Sequence, residues 1–190
     1  MLMRLEKNRL NLGIRLGLGL TLCALVTVPP LQARDEAQRP TQIAAAKMPW
    51  HSYHQGLAKA SSRKKHAFVQ FFASWCGYCR KMDQQVFTDL RVRKALAKDF
   101  IPIRVTEKSQ NRVKFQGKWL TEDALLPHFQ VTGFPTIVFI DPQGETIGKI
   151  PGFIDATEMH TMLQYVGSSA YQKMNFESFK AKLQAKQRKG

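Results

Sequence analysis

Cys76 and Cys79 are the residues of this chain best equipped for chemistry. They stand in Trp75-Cys76-Gly77-Tyr78-Cys79, behind a strand-like apolar run, Ala67-Phe68-Val69-Gln70-Phe71-Phe72, and ahead of a helical pattern. That order places a dithiol at a helix N-terminus, where backbone N–H groups and the helix dipole favour a thiolate. The chemistry expected is thiol–disulfide exchange. Cys76, partly exposed at the helix start, is the expected nucleophile, with a pKa below the free value of about 8.5. Cys79, one turn in and more buried, is expected to resolve the mixed disulfide. A structural disulfide fits less well, because one this local closes almost no chain and restricts the unfolded state little. Half a zinc site is the other alternative, and it is two ligands short. His51 and His54 complete it on paper, but an i, i+3 pair on an N-terminal helix reads as surface polarity. His128 and His160 also read as surface residues of helices. No metal and no cofactor beyond the Cys76–Cys79 disulfide is expected.

The elements that must position this pair begin after a distinct first segment. Met1–Arg15 carries four basic residues against one acid, Leu16–Val28 is apolar, and Pro29-Pro30-Leu31-Gln32-Ala33 follows. This reads as a secretory signal peptide over 1–33, cut after Ala33. The apolar run is short for a bilayer span, which needs about 20 residues, although an uncleaved membrane anchor stays open as the alternative. The third cysteine, Cys23, lies inside this apolar stretch and reads as a small apolar residue of the leader. Export to the periplasm gives an oxidising compartment, where a functional redox pair explains the two remaining cysteines. The chain of 190 residues suffices for one domain with a proper core. Its net charge of +15 keeps +12 beyond the leader, of which the tail from Tyr171 contributes +5. The bases are scattered without aromatic interleaving, which argues against nucleic acid and for a solvated basic face.

Residues 34–47 read as a flexible lead-in, and 48–168 as the folded domain. Trp50, Tyr53, Leu57 and Ala60 recur at helical spacing over 48–63. A central strand covers 66–72, apolar as a strand buried on both faces is. A helix runs from about Cys76 through Phe87, and a second covers 89–98. Residues 100–105 alternate as a strand in which Pro102 implies an unpaired position. Residues 107–120 read as a polar, basic loop. A helix starts at Thr121-Glu122-Asp123, with Leu125, Leu126 and Phe129 as its apolar face. A strand over 136–140, a turn at Asp141-Pro142-Gln143-Gly144 and a strand over 145–150 form a hairpin. A closing helix covers 155–166. The segment 169–190 is a basic C-terminal tail whose residues 176–187 form an amphipathic helix. Alternation first and a hairpin last implies an α/β fold, a mixed central sheet with helices on both faces.

This order and its motifs resemble the thioredoxin fold, with an extra N-terminal helix and a C-terminal amphipathic helix. Phe72-Ala73-Ser74-Trp75-Cys76-Gly77-Tyr78-Cys79-Arg80-Lys81 is similar to the family's active-site stretch. Thr132-Gly133-Phe134-Pro135-Thr136 resembles its second landmark, whose proline follows a cis peptide bond and faces the dithiol. The resemblance covers about residues 50–166. Within the family it runs to the periplasmic C-terminal domain of DsbD and to SoxW-like thioredoxins, through Val86-Phe87-Thr88-Asp89, Val92-Arg93-Lys94-Ala95-Leu96 and Gly152-Phe153-Ile154-Asp155-Ala156. The resemblance implies Cys76 and Cys79 as catalytic residues. It implies Trp75, Gly77, Tyr78, Phe134 and Pro135 as the surface that meets substrate, with protein disulfides as substrates. An upstream thiol electron donor, such as a membrane reductase, is implied as partner.

Two positions depart from the family pattern. Thioredoxins carry a buried acid six residues before the first cysteine; here Gln70 stands there and cannot act as a base, so the Cys79 proton leaves by another route, through water. The dipeptide between the cysteines is Gly-Tyr, as in DsbC-type isomerases. The reading is therefore an exported protein-disulfide reductase, with an isomerase or oxidase as the alternative and a metal carrier as a third.

Overall fold

The structure, a computed structural model, describes residues 47–188. The expected leader, its cut at Ala33, Cys23 and nearly all of the lead-in lie outside the described residues. Among the described residues, no helix is long and apolar enough to cross a membrane.

The core is a four-stranded sheet in the order β2-β1-β5-β6. Here β1 is His66–Phe72, β2 Phe100–Thr106, β5 Thr136–Ile140 and β6 Thr146–Pro151. β1 pairs parallel with β2 and antiparallel with β5, and β5 pairs antiparallel with β6. The sheet is therefore mixed, as expected. Strands β1 and β5 lie in its middle and are buried almost throughout, which is why both read as continuous apolar runs.

Side chains alternate between the two faces of the strands. Val69 and Phe71 of β1, Ile101, Ile103 and Val105 of β2, and Val138 and Ile140 of β5 form one cluster with Tyr53 and Ala60 of α1 (Tyr53–Ser62). Phe68, Phe100, Ile137 and Phe139 form the other. They meet Met82 of α2 (Gly77–Gln85), Val92 and Leu96 of α3 (Leu90–Asp99), and Met159, Leu163 and Val166 of α5 (Ala156–Gly167). Capping side chains start several helices. Asp89 accepts from the Arg91 and Val92 N–H groups at α3, and Asp155 from Glu158 N–H at α5. Asn175 accepts from Ser178 N–H at α6 (Phe176–Gln187), whose Phe176 and Phe179 rings pack on Tyr165.

Three expectations need correction. First, the helical pattern over 48–63 begins only at Tyr53. Residues before it are extended: His51 bridges Ile103, donating to Pro102 O at 3.0 Å and accepting from Arg104 N at 3.1 Å. Trp50 and Tyr53 therefore pack on opposite faces of the sheet, Trp50 against Phe68 and Phe87. Pro102 fits here because its nitrogen, which has no hydrogen to donate, points to this outer edge.

Second, the expected loop over 107–120 contains a hairpin, β3 (Arg112–Phe115) with β4 (Lys118–Thr121). Its turn holds Gln116 and Gly117 at φ 48° and 80°, the two positive values of a type I′ turn. The polar residues hid the signal, because the inward-facing set is small: Val113, its cross-strand partner Leu120, and Phe115, whose ring meets Tyr53 and Phe129. Third, the helix expected from Thr121 is a single turn, α4 (Leu125–His128), which contains Pro127.

Candidate functional site

Cys76 is the N-cap of α2, and its sulfur accepts from the Cys79 N–H at 3.0 Å. Cys76 and Cys79 are joined as a disulfide, with Cα atoms 5.3 Å apart. Both lie on Ala73 under Phe72 and Phe134. Cys79 is fully buried, as expected. Cys76 was expected to be partly exposed and instead is only 3% exposed, because the closed disulfide sits beneath the Phe134 side of the site. Thiols joined in this way carry no proton; the helix N-terminus acts on them once they are reduced.

The expected substrate surface comes together around this pair. The Phe134–Pro135 peptide is cis. The loop is fixed by Thr136 Oγ1 donating to Gly133 O at 2.7 Å and by Gly152 N donating to Pro135 O at 2.8 Å. Trp75 is 63% exposed and Tyr78 62%, so both form a rim and neither is core packing. Trp75 stands edge-on to Phe134 at 5.8 Å, and Tyr78 lies 6.1 Å from Phe153. Gly77 is exposed, and a Cβ there would meet only Arg80 Nη2 at 3.9 Å, so the position has open space around it.

Sequence reasoning missed the residues that hold the rim. Trp75 Nε1 donates to Glu107 Oε2 at 2.6 Å, and Lys81 Nζ sits 4.6 Å over the Phe153 ring. Glu107 follows directly on β2, beside Phe72, whose carbonyl accepts from the Glu107 N–H. No motif marks it.

Gln70 was singled out as a departure from the family, and its surroundings are the least expected part of the site. It is fully buried, and its Oε1 accepts from Arg104 Nε at 2.9 Å. Arg104 is also paired with Asp83 of α2, and its guanidinium lies 4.2 Å over the Trp50 ring and 4.6 Å over Phe72. Among the described residues Gln70 Nε2 has no partner, a cost of about 1–3 kcal/mol for a buried amide.

The histidines weighed as metal ligands are separated. His51 sits in the edge bridge with Nε2 3.1 Å from Lys59 Nζ, and burial and the Lys59 and Arg63 charges hold its pKa below the usual value. His54 is exposed on α1, 6.4 Å from the Trp119 ring. Among the described residues, no group of three or more His, Cys, Asp and Glu side chains is placed to hold a metal ion. His128 is exposed as expected, whereas His160 is half-buried, and burial lowers its pKa.

Comparison with known proteins agrees with this geometry. Residues 53–167 match the thioredoxin-like domain family. The thiol:disulfide interchange protein DsbD of Salmonella paratyphi A is 33% identical over 144 residues, covering 72% of this chain but 24% of DsbD. The chain thus spans about a quarter of the length of such relatives. The disulfide bond reductase DsbH of Chlamydia pneumoniae is 28% identical over 134 residues, 67% of this chain and 80% of that protein. Among solved structures, a thioredoxin from Thermus thermophilus is 26% identical with a TM-score of 0.53, over 64% of this chain and 88% of its own. The chain belongs to the thioredoxin-like domain family and is similar to DsbD and DsbH, and its Cys76 and Cys79 are joined as a disulfide.

Proposed function

We propose that this protein is an exported reductase of protein disulfides. The observation that carries the reading is the Cys76–Cys79 pair at the start of α2, between the cis-Pro135 loop and an exposed aromatic rim. In the reduced protein, the Cys76 thiolate attacks one sulfur of a client disulfide, and the other client sulfur leaves as a thiolate and takes up a proton. Cys79 then loses its proton and attacks Cys76 Sγ; the bond to the client breaks, and the second client sulfur leaves as a thiol. Two electrons pass to the client, and Cys76–Cys79 becomes a disulfide. An upstream thiol donor, of the kind a membrane reductase supplies, restores the dithiol. Trp75, Gly77, Tyr78, Phe134 and Pro135 form the client surface, where the Phe134 peptide pairs with an extended segment around the client cysteine. The reductase direction is supported by the likeness to DsbH, and the module reading by the likeness to DsbD. The leader at 1–33, the domain at 48–168 and the basic tail at 169–190 complete the proposal.

The test is the potential of the Cys76–Cys79 couple against a glutathione buffer, alongside insulin-disulfide reduction. A reductase lies toward the low end of the range of about −270 to −120 mV covered by related proteins, and Cys76→Ala abolishes turnover. A potential at the high end removes this reading in favour of an oxidase. Gly77-Tyr78 keeps an isomerase as the second reading. Recovery of scrambled ribonuclease no better than with Cys76→Ala excludes it. Export is checked by fractionating cells that make the full chain.

A further inference from the structure

We infer that Arg104 is a positioning residue for the redox pair: by pairing with Asp83 it cancels the carboxylate that shares a helix face with Cys79, and so keeps the resolving thiol reactive near neutral pH. The inference rests on the exchange reaction proposed above.

Cys79 and Asp83 are four residues apart on α2, a spacing that brings side chains to one face with Cβ atoms about 5–6 Å apart. A bare carboxylate there opposes a thiolate at Cys79. Arg104 removes that opposition. It enters from β2, directly opposite Gln70 of β1 in the strand register. Its guanidinium is held on four sides, by Gln70 Oε1, Asp83, and the Trp50 and Phe72 rings. Trp50 is brought there by the extended segment whose next residue, His51, bridges the edge of β2. A guanidinium keeps its charge at any pH at which the protein is folded. With its side chain 18% exposed and that of Asp83 34% exposed, the pair is less screened than one in open solvent.

The other elements packed on this face add little charge near Cys79. Strand β1 contributes Gln70, which is neutral and has its oxygen committed to Arg104. The side chains packed with Cys79 itself are Ala73, Cys76, Phe72 and Phe134, none of them charged. On α2 itself, Arg80 and Lys81 are exposed, and Arg80 Nη1 donates to Ser74 O. Glu107 is engaged with Trp75 at the rim. The charge that Cys79 meets is thus set by Asp83 and its partner.

The test titrates Cys79 alone. In Cys76→Ser protein that also carries Cys23→Ser, thiolate absorbance against pH reads Cys79 as the one remaining thiol of the chain. Adding Arg104→Met raises the midpoint by about one pH unit, equivalent to about tenfold less thiolate near neutrality. Adding Asp83→Asn as well returns the midpoint to the starting value or below it. An unmoved midpoint in Arg104→Met, or a rise that persists when Asp83 is also neutralised, overturns the inference. If Arg104→Met does not fold, Asp83→Asn with Arg104 intact decides: the unpaired cation lowers the midpoint, and no lowering overturns the inference. Loss of insulin reduction in the unaltered protein is a separate result, which defeats the proposed function and leaves this titration readable.

Discussion

The two faces of strands β1 and β2 are built from the same alternation, yet only one of them is purely apolar. Beneath α1 the inward residues are Val69, Phe71, Ile101, Ile103 and Val105, and no polar side chain interrupts them. Beneath α2 and α3 the same strands present Phe68 and Phe100 and then, at matching register, Gln70 and Arg104. Desolvating an amide and a guanidinium is unfavourable for folding unless partners replace water. Arg104 has its partners, whereas Gln70 Nε2 has none among the described residues. The difference separates a face selected for packing from one that gives up packing under the dithiol. Substitutions on the first face are therefore expected to change stability and leave reactivity alone.

Phe71→Ala is the largest test of that separation. Phe71 is fully buried, with its ring 5.5 Å from that of Phe129. Its truncation is expected to cost about 3–5 kcal/mol in urea unfolding. The Cys76–Cys79 potential of the folded variant stays at the unaltered value. A shifted potential would break the comparison, because it would mean that the apolar face also tunes the site.

Gly56→Ala sharpens the comparison on the same face. A Cβ at Gly56 would lie 2.2 Å from Ile103 Cγ1 and 3.3 Å from His51 Cβ, so α1 crosses the edge of β2 at the distance a glycine permits. Ile103 or the helix must shift. Overpacking of this kind costs about 1–3 kcal/mol, read as a lower midpoint in thermal unfolding. Insulin reduction per folded molecule is expected to be unchanged.

The dithiol, the cis proline and the central strands were legible because each depends on near neighbours in the chain: a CxxC ahead of a helix, Gly-Phe-Pro-Thr ahead of a strand, continuous apolar runs. Trp50, the hairpin and Arg104 were not. Trp50 and Tyr53 share helical spacing, but the edge of β2 offered backbone partners that drew His51 and Trp50 out of the helix. The hairpin gains its inward face from residues outside it, Tyr53 and Phe129 among them. Arg104 reads as the polar interruption of a strand. Its role appears only when the register places it across from Gln70 and below Asp83.

Trp75→Ala probes the rim, where neither face of the sheet is involved. The indole is mostly exposed and anchored by Glu107, so little folding stability depends on it. Loss of an exposed aromatic contact is expected to weaken client binding by about 1 kcal/mol. It appears as a higher KM for a peptide disulfide with the potential unmoved. A changed potential with an unchanged KM would place the indole in tuning the disulfide rather than in meeting the client.

The smallest expected effect lies at the other end of the polar face. His66 opens β1 on the same side as Gln70, buried between Phe100 at 5.6 Å and Tyr171 at 6.1 Å. Burial lowers its pKa from the ordinary 6.5, against the opposing pull of Asp141 and Asp99. Above 6.5 the ring is neutral in both the folded and unfolded chains, and the difference contributes nothing to pH dependence. As the pH falls through 6.5, the unfolded chain takes up a proton that the folded chain still refuses, so stability drops until the lower folded value is passed. Urea unfolding on either side of 6.5 is expected to show this slope, and His66→Leu to flatten it. Cys79 titration in the Cys76→Ser background is expected to be the same with His66 or leucine, because the charge that acts on the thiol sits at the far end of the strand. A Cys79 midpoint that moved with His66 would show the polar face acting as one continuous network, not as two separate interruptions of an apolar surface.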